Sequence, residues 1–180
     1  MRKDAPGSAS GFTLVELSVT LVIVAVLAGL ALPGLQDLLE RQRVDTAMFL
    51  LSSQLAQARS TAITQRTPVT VCPSQGDGQC LRVPDWSSGW LVYRDPLRRD
   101  QPGSPGDILQ DVRKPFHHSI RILASTGRLR VRYYPEGFSG GNNVTLRVCA
   151  SASLRGEIIV SNAGRARGQR PTGNPPCPIP

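Results

Sequence analysis

A largely apolar segment from Phe12 to Leu32 constrains this 180-residue chain more than any other feature. At a rise of about 1.5 Å per residue, a helix of this length is long enough to cross the hydrocarbon core of a bilayer. Arg2 and Lys3 precede the segment, and basic residues on that side predict that the N-terminus stays in the cytoplasm. We therefore expect one transmembrane helix, with the rest of the chain exported.

Glu16 places a carboxylate within this apolar segment, where such a group costs roughly 2.5–3.5 kcal/mol on insertion scales. A carboxylate in this position is usually paired with a cation, and the alternative is that Glu16 is tolerated close to the interface. Gly11, the small residue that could mark a processing site, precedes the apolar segment, whereas a secretory signal has small residues after it. Cleavage after Gly11 would leave the helix on the product, with a new N-terminal ammonium one helical turn from Glu16.

The residues that follow predict a longer helix and then a β-rich domain. Pro33 and Gly34 should kink the helix without ending it, and Pro68 forbids its continuation beyond about Gln65. An amphipathic stripe recurs at steps of three and four residues. It comprises Leu35, Leu38, Leu39, Val44, Ala47, Leu51, Leu55, Ala58 and Ala62.

Short β-branched runs separated by turn residues begin at Val69 and predict antiparallel sheets packed on the helix, an α+β fold. The Arg-, Pro- and Gly-rich residues 97–107 are expected to form a loop. The expected boundaries are residues 12–66 for the helix and 67–180 for the globular domain. Six strands are predicted, at residues 69–72, 89–93, 120–123, 129–133, 143–149 and 157–161.

Four cysteines in an exported chain favour disulfides over free thiols. Their spacings match no common zinc pattern, so no metal site is expected. Three pairings are possible. We adopt the pairing of sequence neighbours, Cys72 with Cys80 and Cys149 with Cys177.

Catalytic motifs are not found in the sequence. The chain has no nucleophile-elbow serine, phosphate-binding loop or H-E-x-x-H motif. His117 and His118 are adjacent, so on a strand they would point to opposite faces. We expect no enzymatic activity and no cofactor.

The N-terminal motif Lys3…Gly11-Phe12-Thr13-Leu14-Val15-Glu16-Leu17 resembles the class III signal of type IV pilins and type II secretion pseudopilins. The resemblance implies a leader of residues 1–11, cleavage by a prepilin peptidase between Gly11 and Phe12, and N-methylation of Phe12. It also implies that Glu16 pairs with the Phe12 ammonium of a neighbouring subunit and sets the axial register. The implied location is the inner membrane, with a periplasmic C-terminal domain, and then the extracellular pilus.

Motifs along the globular domain resemble the FimT/GspH group of minor pilins and pseudopilins. They are V-T-V-C-P at 69–73, Cys80, D-W-S-S-G-W-L-V-Y-R-D at 85–95, Phe138, T-L-R-V-C at 145–149 and I-I-V-S-N-A-G-R-A-R at 158–167. The resemblance implies a type IV pilin-like fold and other major and minor pilins as partners. We expect Trp90 in the core and Trp86 exposed over a loop.

Positive charge is concentrated in the last third of the chain. The net charge is +8, and residues 121–180 hold nine arginines against Glu136 and Glu157, a net charge of +7. A genome that favours arginine over lysine is one explanation, since the chain has only two lysines. Phosphate binding is the other, because the planar guanidinium fork suits phosphate. Two clusters stand out, Arg128, Arg130 and Arg132 on a predicted strand, and Gly164, Arg165, Arg167 and Arg170 on a predicted exposed loop.

The second cluster resembles the G-R-x-R motif of FimT-type minor pilins that bind DNA during natural transformation. The resemblance implies non-specific, salt-sensitive binding of double-stranded DNA by Gly164, Arg165, Arg167 and Arg170. Arg128, Arg130 and Arg132 would extend the surface. The alternative is a structural or priming minor pilin, or a GspH-like pseudopilin of a type II secretion system, that binds no DNA.

Overall fold

The structure, a computed structural model, describes Gly11 and residues 13–178. The chain divides into two compact units between Leu39 and Glu40, and helix α1 (Leu14–Gln65) contributes to both. The predicted leader and Phe12, apart from Gly11, lie outside the described residues. Cleavage after Gly11 and methylation of Phe12 therefore stay predictions.

The first unit contains the N-terminal part of α1. The Thr13 hydroxyl accepts a hydrogen bond from the Glu16 backbone N–H at 3.2 Å, so Thr13 caps the helix. Leu14, Val22 and Leu30 are 84%, 63% and 75% exposed, so this apolar surface has no cover within the described chain. A surface of this kind requires a lipid or protein environment.

Helix α1 continues through positions 33 and 34, as the prediction of a kink without a stop requires. By length and hydropathy, no single helix among the described residues qualifies as a membrane span. The segments Leu14–Leu30 and Gly34–Gln65 qualify only when taken together as a bent pair. The transmembrane role of residues 12–32 remains a prediction.

The second unit holds two four-stranded antiparallel sheets. The strands are β1 (Val69–Pro73), β2 (Gly89–Arg94), β3 (Ile108–Arg113), β4 (Ile120–Ala124), β5 (Val131–Tyr133), β6 (Val144–Ala150), β7 (Ser153–Val160) and β8 (Ala166–Gln169). One sheet has the strand order β3-β2-β1-β5 and the other β4-β6-β7-β8, so β8 is an edge strand. A short 3-10 helix, Pro105–Asp107, precedes β3.

The core of the second unit forms because the C-terminal part of α1 buries its apolar stripe against strands of both sheets. Leu51 and Leu55 are fully buried on the helix, beside Trp90 of β2 and Ile158 of β7. The stripe residues at the centre of this cluster are those that the three- and four-residue spacing predicted. They are Val44, Ala47, Leu51, Leu55, Ala58 and Ala62.

Both disulfides are present in the structure, with the pairing expected from sequence neighbours. Cys72–Cys80 lies in a smaller buried cluster with Leu91 and Tyr93. Cys149–Cys177 attaches the C-terminal segment to β6, and the Cys177 N–H donates to the Ala152 carbonyl at 2.8 Å.

Three expectations about the globular domain were wrong. The sequence pattern did not predict strands β3 and β8, because both are edge strands whose ordering comes from one neighbouring strand. Trp86 is fully buried, and its backbone N–H donates to the Ile122 carbonyl at 2.8 Å, which fixes its loop against β4. His117 and His118 lie in a turn with ring centroids 4.0 Å apart, and not on opposite faces of a strand.

Candidate nucleic-acid interface

The hairpin that joins β7 to β8 carries the G-R-x-R motif. The Gly164 N–H donates to the Ser161 carbonyl at 2.8 Å, and the Ser161 N–H donates to the Arg165 carbonyl at 3.1 Å. Gly164 has φ +74°, and a Cβ there would lie 2.2 Å from the Gly137 carbonyl oxygen. Only glycine fits this turn, for both its φ angle and its close backbone contact. The predicted adaptable loop is therefore a tight turn followed by the edge strand β8.

Arg165 and Arg167 are directed away from the core by the alternation of an extended chain. Between them Ala166 packs against the core, and a Cβ on Gly168 would approach the Met48 methyl at 3.2 Å. Arg165 and Arg167 are both exposed. Within the described part of the chain, neither guanidinium has a hydrogen-bond or ion-pair partner, so both are available to an external anion.

An open groove of about 620 Å³ separates this hairpin from helix α1. Arg59 of the helix contributes to the groove, and its Nε donates to the Gly137 carbonyl at 2.7 Å. Three guanidinium groups therefore surround one concave surface whose lining contains no acidic residue, which concentrates positive potential there. The lining residues are Ser52, Ala56, Arg59, Gly164, Arg165, Ala166 and Arg167.

Arg170, also predicted to bind DNA, differs from Arg165 and Arg167 because it already has an acidic partner. Its guanidinium is 53% exposed and forms an ion pair with Asp45 of α1. The exposed carboxylate offsets the charge that Arg170 could present to a phosphate. Arg170 therefore lies one residue beyond β8 as an already paired cation.

Arg128 and Arg130, expected to extend the surface, are half-buried and engaged within the protein. Arg128 donates to the Asn142 carbonyl and to the Ser139 hydroxyl, each at 2.8 Å, and burial lowers its pKa. Arg130 forms an ion pair with Asp100. Both residues precede β5, so the strand alternation assumed for them does not apply.

Arg132 is also part of an internal network. Its guanidinium contacts the buried Asp95 carboxylate, with Nη2 and Oδ2 2.8 Å apart, and also donates to the Arg99 carbonyl at 2.8 Å. Asp95 accepts further hydrogen bonds from the Thr70 hydroxyl and the Arg99 N–H. The alternation predicted for Arg128, Arg130 and Arg132 on one strand face is wrong, because β5 begins at Val131 and all three guanidinium groups have partners within the protein. A contribution of these residues to DNA binding stays a prediction.

Arg59 is the groove residue that sequence reasoning did not assign to the site. In the sequence it is one polar position among several on an amphipathic helix, and only its contact with Gly137 places it beside Arg165. Among the described residues, no group of three or more His, Cys, Asp or Glu side chains could hold a metal ion.

Comparison with known proteins identifies the family. Residues 50–164 match the family described as type II transport protein GspH, and residues 7–32 match the prokaryotic N-terminal methylation motif. Arg165, Arg167 and Arg170 follow the residues matched to GspH.

Curated relatives resemble one stretch of the chain. Over 55 residues it is 40% identical to the type IV major pilin protein PilE1 of Neisseria gonorrhoeae and to a fimbrial protein of Neisseria meningitidis. The match covers 31% of this chain and 30% and 29% of those proteins, so the chain spans under a third of their length.

The fold is similar to that of the type IV minor pilin FimU of Pseudomonas aeruginosa. The TM-score is 0.57 at 20% identity, and the match covers 76% of this chain and 95% of FimU. The likeness confirms the predicted pilin-like architecture. The chain belongs to the GspH family, and is a minor type IV pilin or a GspH-like pseudopilin.

Proposed function

We propose that this protein is a minor type IV pilin that binds extracellular double-stranded DNA without sequence preference, for DNA uptake in natural transformation. The observation that carries the proposal is the pair of exposed, unpaired guanidinium groups of Arg165 and Arg167, in the part of the chain that the structure describes. Arg59 adds a third cation across the groove. Gly164 fixes the turn that presents them.

The chemistry of the hairpin suits phosphate more than bases. Guanidinium groups form paired hydrogen bonds with phosphate oxygens, and such contacts carry no sequence information. Each phosphate contact contributes about 0.9 to the slope of log affinity against log salt. We expect modest affinity, little base preference and a slope that reflects a few contacts.

The test is fluorescence anisotropy with labelled duplex DNA at two salt concentrations, on the full chain purified in a non-ionic detergent with its disulfides formed. Arg165→Ala/Arg167→Ala should weaken binding by about tenfold or more, since two phosphate contacts are lost. The matched control is Arg82→Ala/Arg121→Ala, which removes the same charge from two exposed positions outside the hairpin, with Arg121 on β4 at the opposite edge of its sheet from β8.

Binding that weakens with salt and fails only in the hairpin variant would support the proposal. An equal loss in both variants would mean that net charge alone attracts DNA. The absence of binding by the wild-type chain at low salt would leave the structural alternative, a priming minor pilin or a GspH-like pseudopilin without DNA.

Membership of the family implies association with other pilins, and we propose that assembly uses Glu16. Glu16 is exposed in the first turn of α1, next to Thr13. After cleavage by a prepilin peptidase at the inner membrane, the methylated Phe12 ammonium of a neighbouring subunit would neutralise this carboxylate in the filament. Incorporation of Glu16→Ala into pili at the wild-type level, measured by immunoblotting of sheared filaments, would contradict this role.

A further inference from the structure

A turn after β5 carries a stacked pair of aromatic rings on the protein surface. The Tyr134 N–H donates to the Phe138 carbonyl at 2.9 Å, and the Gly137 N–H donates to the Tyr134 carbonyl at 2.8 Å. This closure stacks the two rings, with centroids 4.6 Å apart and planes inclined by 17°. Phe138 remains 43% exposed and belongs to neither core cluster. We call residues 134–138 the aromatic turn.

A third side chain, Arg98, lies over the aromatic turn. Its guanidinium carbon is 5.4 Å from the Tyr134 ring centroid, within cation–π range. Arg98 has φ +55°, a conformation that costs energy for a residue with a side chain. The buried Asp95 maintains this conformation, because its carbonyl accepts from the Arg98 N–H and its carboxylate accepts from the Arg99 N–H.

These groups line an open groove of about 470 Å³. Its walls are rings of aromatic and proline residues, which present flat apolar faces with little conformational freedom. The groove also contains the cation of Arg98 and the exposed carboxylate of Glu136. The lining residues are Pro68, Pro96, Arg98, Tyr134, Pro135, Glu136 and Phe138.

The aromatic turn is continuous with the arginine hairpin. The Gly137 carbonyl accepts from Arg59 Nε at 2.7 Å and lies against Gly164. The Ser139 N–H donates to the Asn162 carbonyl at 2.8 Å. The aromatic turn and the arginine hairpin are therefore adjacent in the fold, joined through backbone contacts, and we treat the two neighbouring grooves as one binding surface.

We propose that the aromatic turn is a base-stacking platform, and that this surface binds single-stranded segments of DNA as well as duplex. The inference rests on the function proposed for the hairpin and names a further class of ligand for the same surface. Aromatic side chains bind unpaired bases by stacking on them, while nearby cations neutralise the phosphates of the strand. Bases within a duplex are already stacked on each other and cannot reach Phe138.

The charge of the surface selects this occupant over an apolar protein segment. Arg98 lies over the Tyr134 ring, and Arg59, Arg165 and Arg167 line the neighbouring groove. Glu136 is the single carboxylate among the lining residues of the two grooves. An anionic strand with flat apolar groups is complementary to both components. In the bound state the exposed face of Phe138 stacks on a base, while Arg98 and the hairpin arginines contact phosphates on either side.

The test compares three labelled ligands by fluorescence anisotropy with the full chain in non-ionic detergent. They are a thymidine strand of about 20 nucleotides, longer than common single-strand sites, an abasic strand with the same number of phosphates, and a blunt duplex. The wild-type chain should bind the thymidine strand about tenfold more tightly than the abasic strand, because only the former can stack.

Phe138→Ala should remove most of this ratio and leave duplex and abasic binding unchanged. Phe138→Trp, which retains an aromatic face, should restore the ratio, whereas Phe138→Leu, which retains only apolar volume, should not. Equal binding of the thymidine and abasic strands by wild type would overturn the proposal. So would a uniform loss for all three ligands in Phe138→Ala, which would indicate a structural role.

The same titrations separate this inference from the proposed function. Duplex binding that is lost in Arg165→Ala/Arg167→Ala reports on the hairpin. The thymidine-to-abasic ratio reports on the aromatic turn. If the hairpin binds duplex DNA but the thymidine-to-abasic affinity ratio is near one, the proposed function stands and the base-stacking platform is rejected.

Discussion

Two regions of this protein have closely similar arginine patterns and opposite electrostatic surroundings. In the first, Arg128, Arg130 and Arg132 are each bound by groups from elsewhere in the chain, including the carboxylates of Asp95 and Asp100. In the second, Arg165 and Arg167 extend from an edge hairpin with no such partner among the described residues. In the sequence, both regions have arginines at alternate positions.

The difference shows that a run of arginines predicts a binding surface only when the positions of the acids are known. Asp95 contacts Arg132 across 37 residues of sequence, because strand pairing brings the end of β2 beside β5 through β1. Among residues 13–178, no comparable acid contacts the arginines of the hairpin turn, whereas Asp45 forms an ion pair with Arg170 a few residues later. The fold thus divides the basic C-terminal third into structural and available cations.

The largest expected effect is on stability, and it would test the structural half of this comparison. Arg132→Ala should lower the free energy of unfolding by about 3 kcal/mol, because it leaves the nearly buried Asp95 carboxylate without its counterion. Arg167→Ala, the matched change on the hairpin, should alter it by less than about 0.5 kcal/mol. Chemical denaturation of both variants measures the difference. Similar losses in the two variants would remove the distinction between the regions.

A smaller loss of stability is expected from changing Gly164, in the turn that positions Arg165 and Arg167. Gly164→Ala should cost about 2 kcal/mol and weaken duplex binding, because its Cβ would collide with the Gly137 carbonyl. Gly173→Ala is the control, since Gly173 has a similar φ of +76° but open space around its Cβ position. Denaturation and anisotropy give both quantities. If Gly164→Ala behaved like Gly173→Ala, the contact with Gly137 would not position the hairpin.

The smallest expected effect is on duplex affinity, and it concerns Arg170, which lies close to the hairpin but is paired with an acid. Asp45→Asn should raise affinity for duplex DNA by about two- to fivefold at low salt, because it releases Arg170 for one more phosphate contact. Asp77→Asn changes the net charge equally at an exposed site whose carboxylate contacts the Gln79 backbone. Anisotropy at several salt concentrations should show a steeper slope for Asp45→Asn alone. An equal gain in both variants would assign the effect to net charge.

Sequence periodicity was sufficient for the parts of the fold that depend on apolar burial. The stripe from Val44 to Ala62 and the interior strands β1, β2 and β6 lie where alternation and helical spacing placed them. The family motifs and both disulfide pairs agree with the structure. The apolar stripe and the strand alternation repeat along the chain, so they leave a direct pattern in the sequence, whereas the disulfide pairing was one of three possibilities.

Features that depend on long-range contacts could not be predicted in the same way. β8 is composed of Ala-Arg-Gly-Gln and becomes a strand only because β7 supplies its hydrogen bonds. Trp86 is buried by a loop contact with β4, and Arg59 joins the groove through a turn 78 residues away. The Thr13 cap is local, by contrast, because its hydroxyl accepts from the backbone N–H of Glu16 only three residues later.

The Cys149–Cys177 disulfide has a mechanical consequence for the hairpin if a bound ligand pulls on it. β7, the turn and β8 all lie within the covalent loop that this bond closes, with its ends anchored at β6. Tension applied at Arg165 and Arg167 can break the hydrogen bonds of β8, which has β7 as its one neighbouring strand in the described sheet. Extension of this segment stops when the closed loop is taut, so the disulfide limits how much chain between Cys149 and Cys177 a pulling force can release.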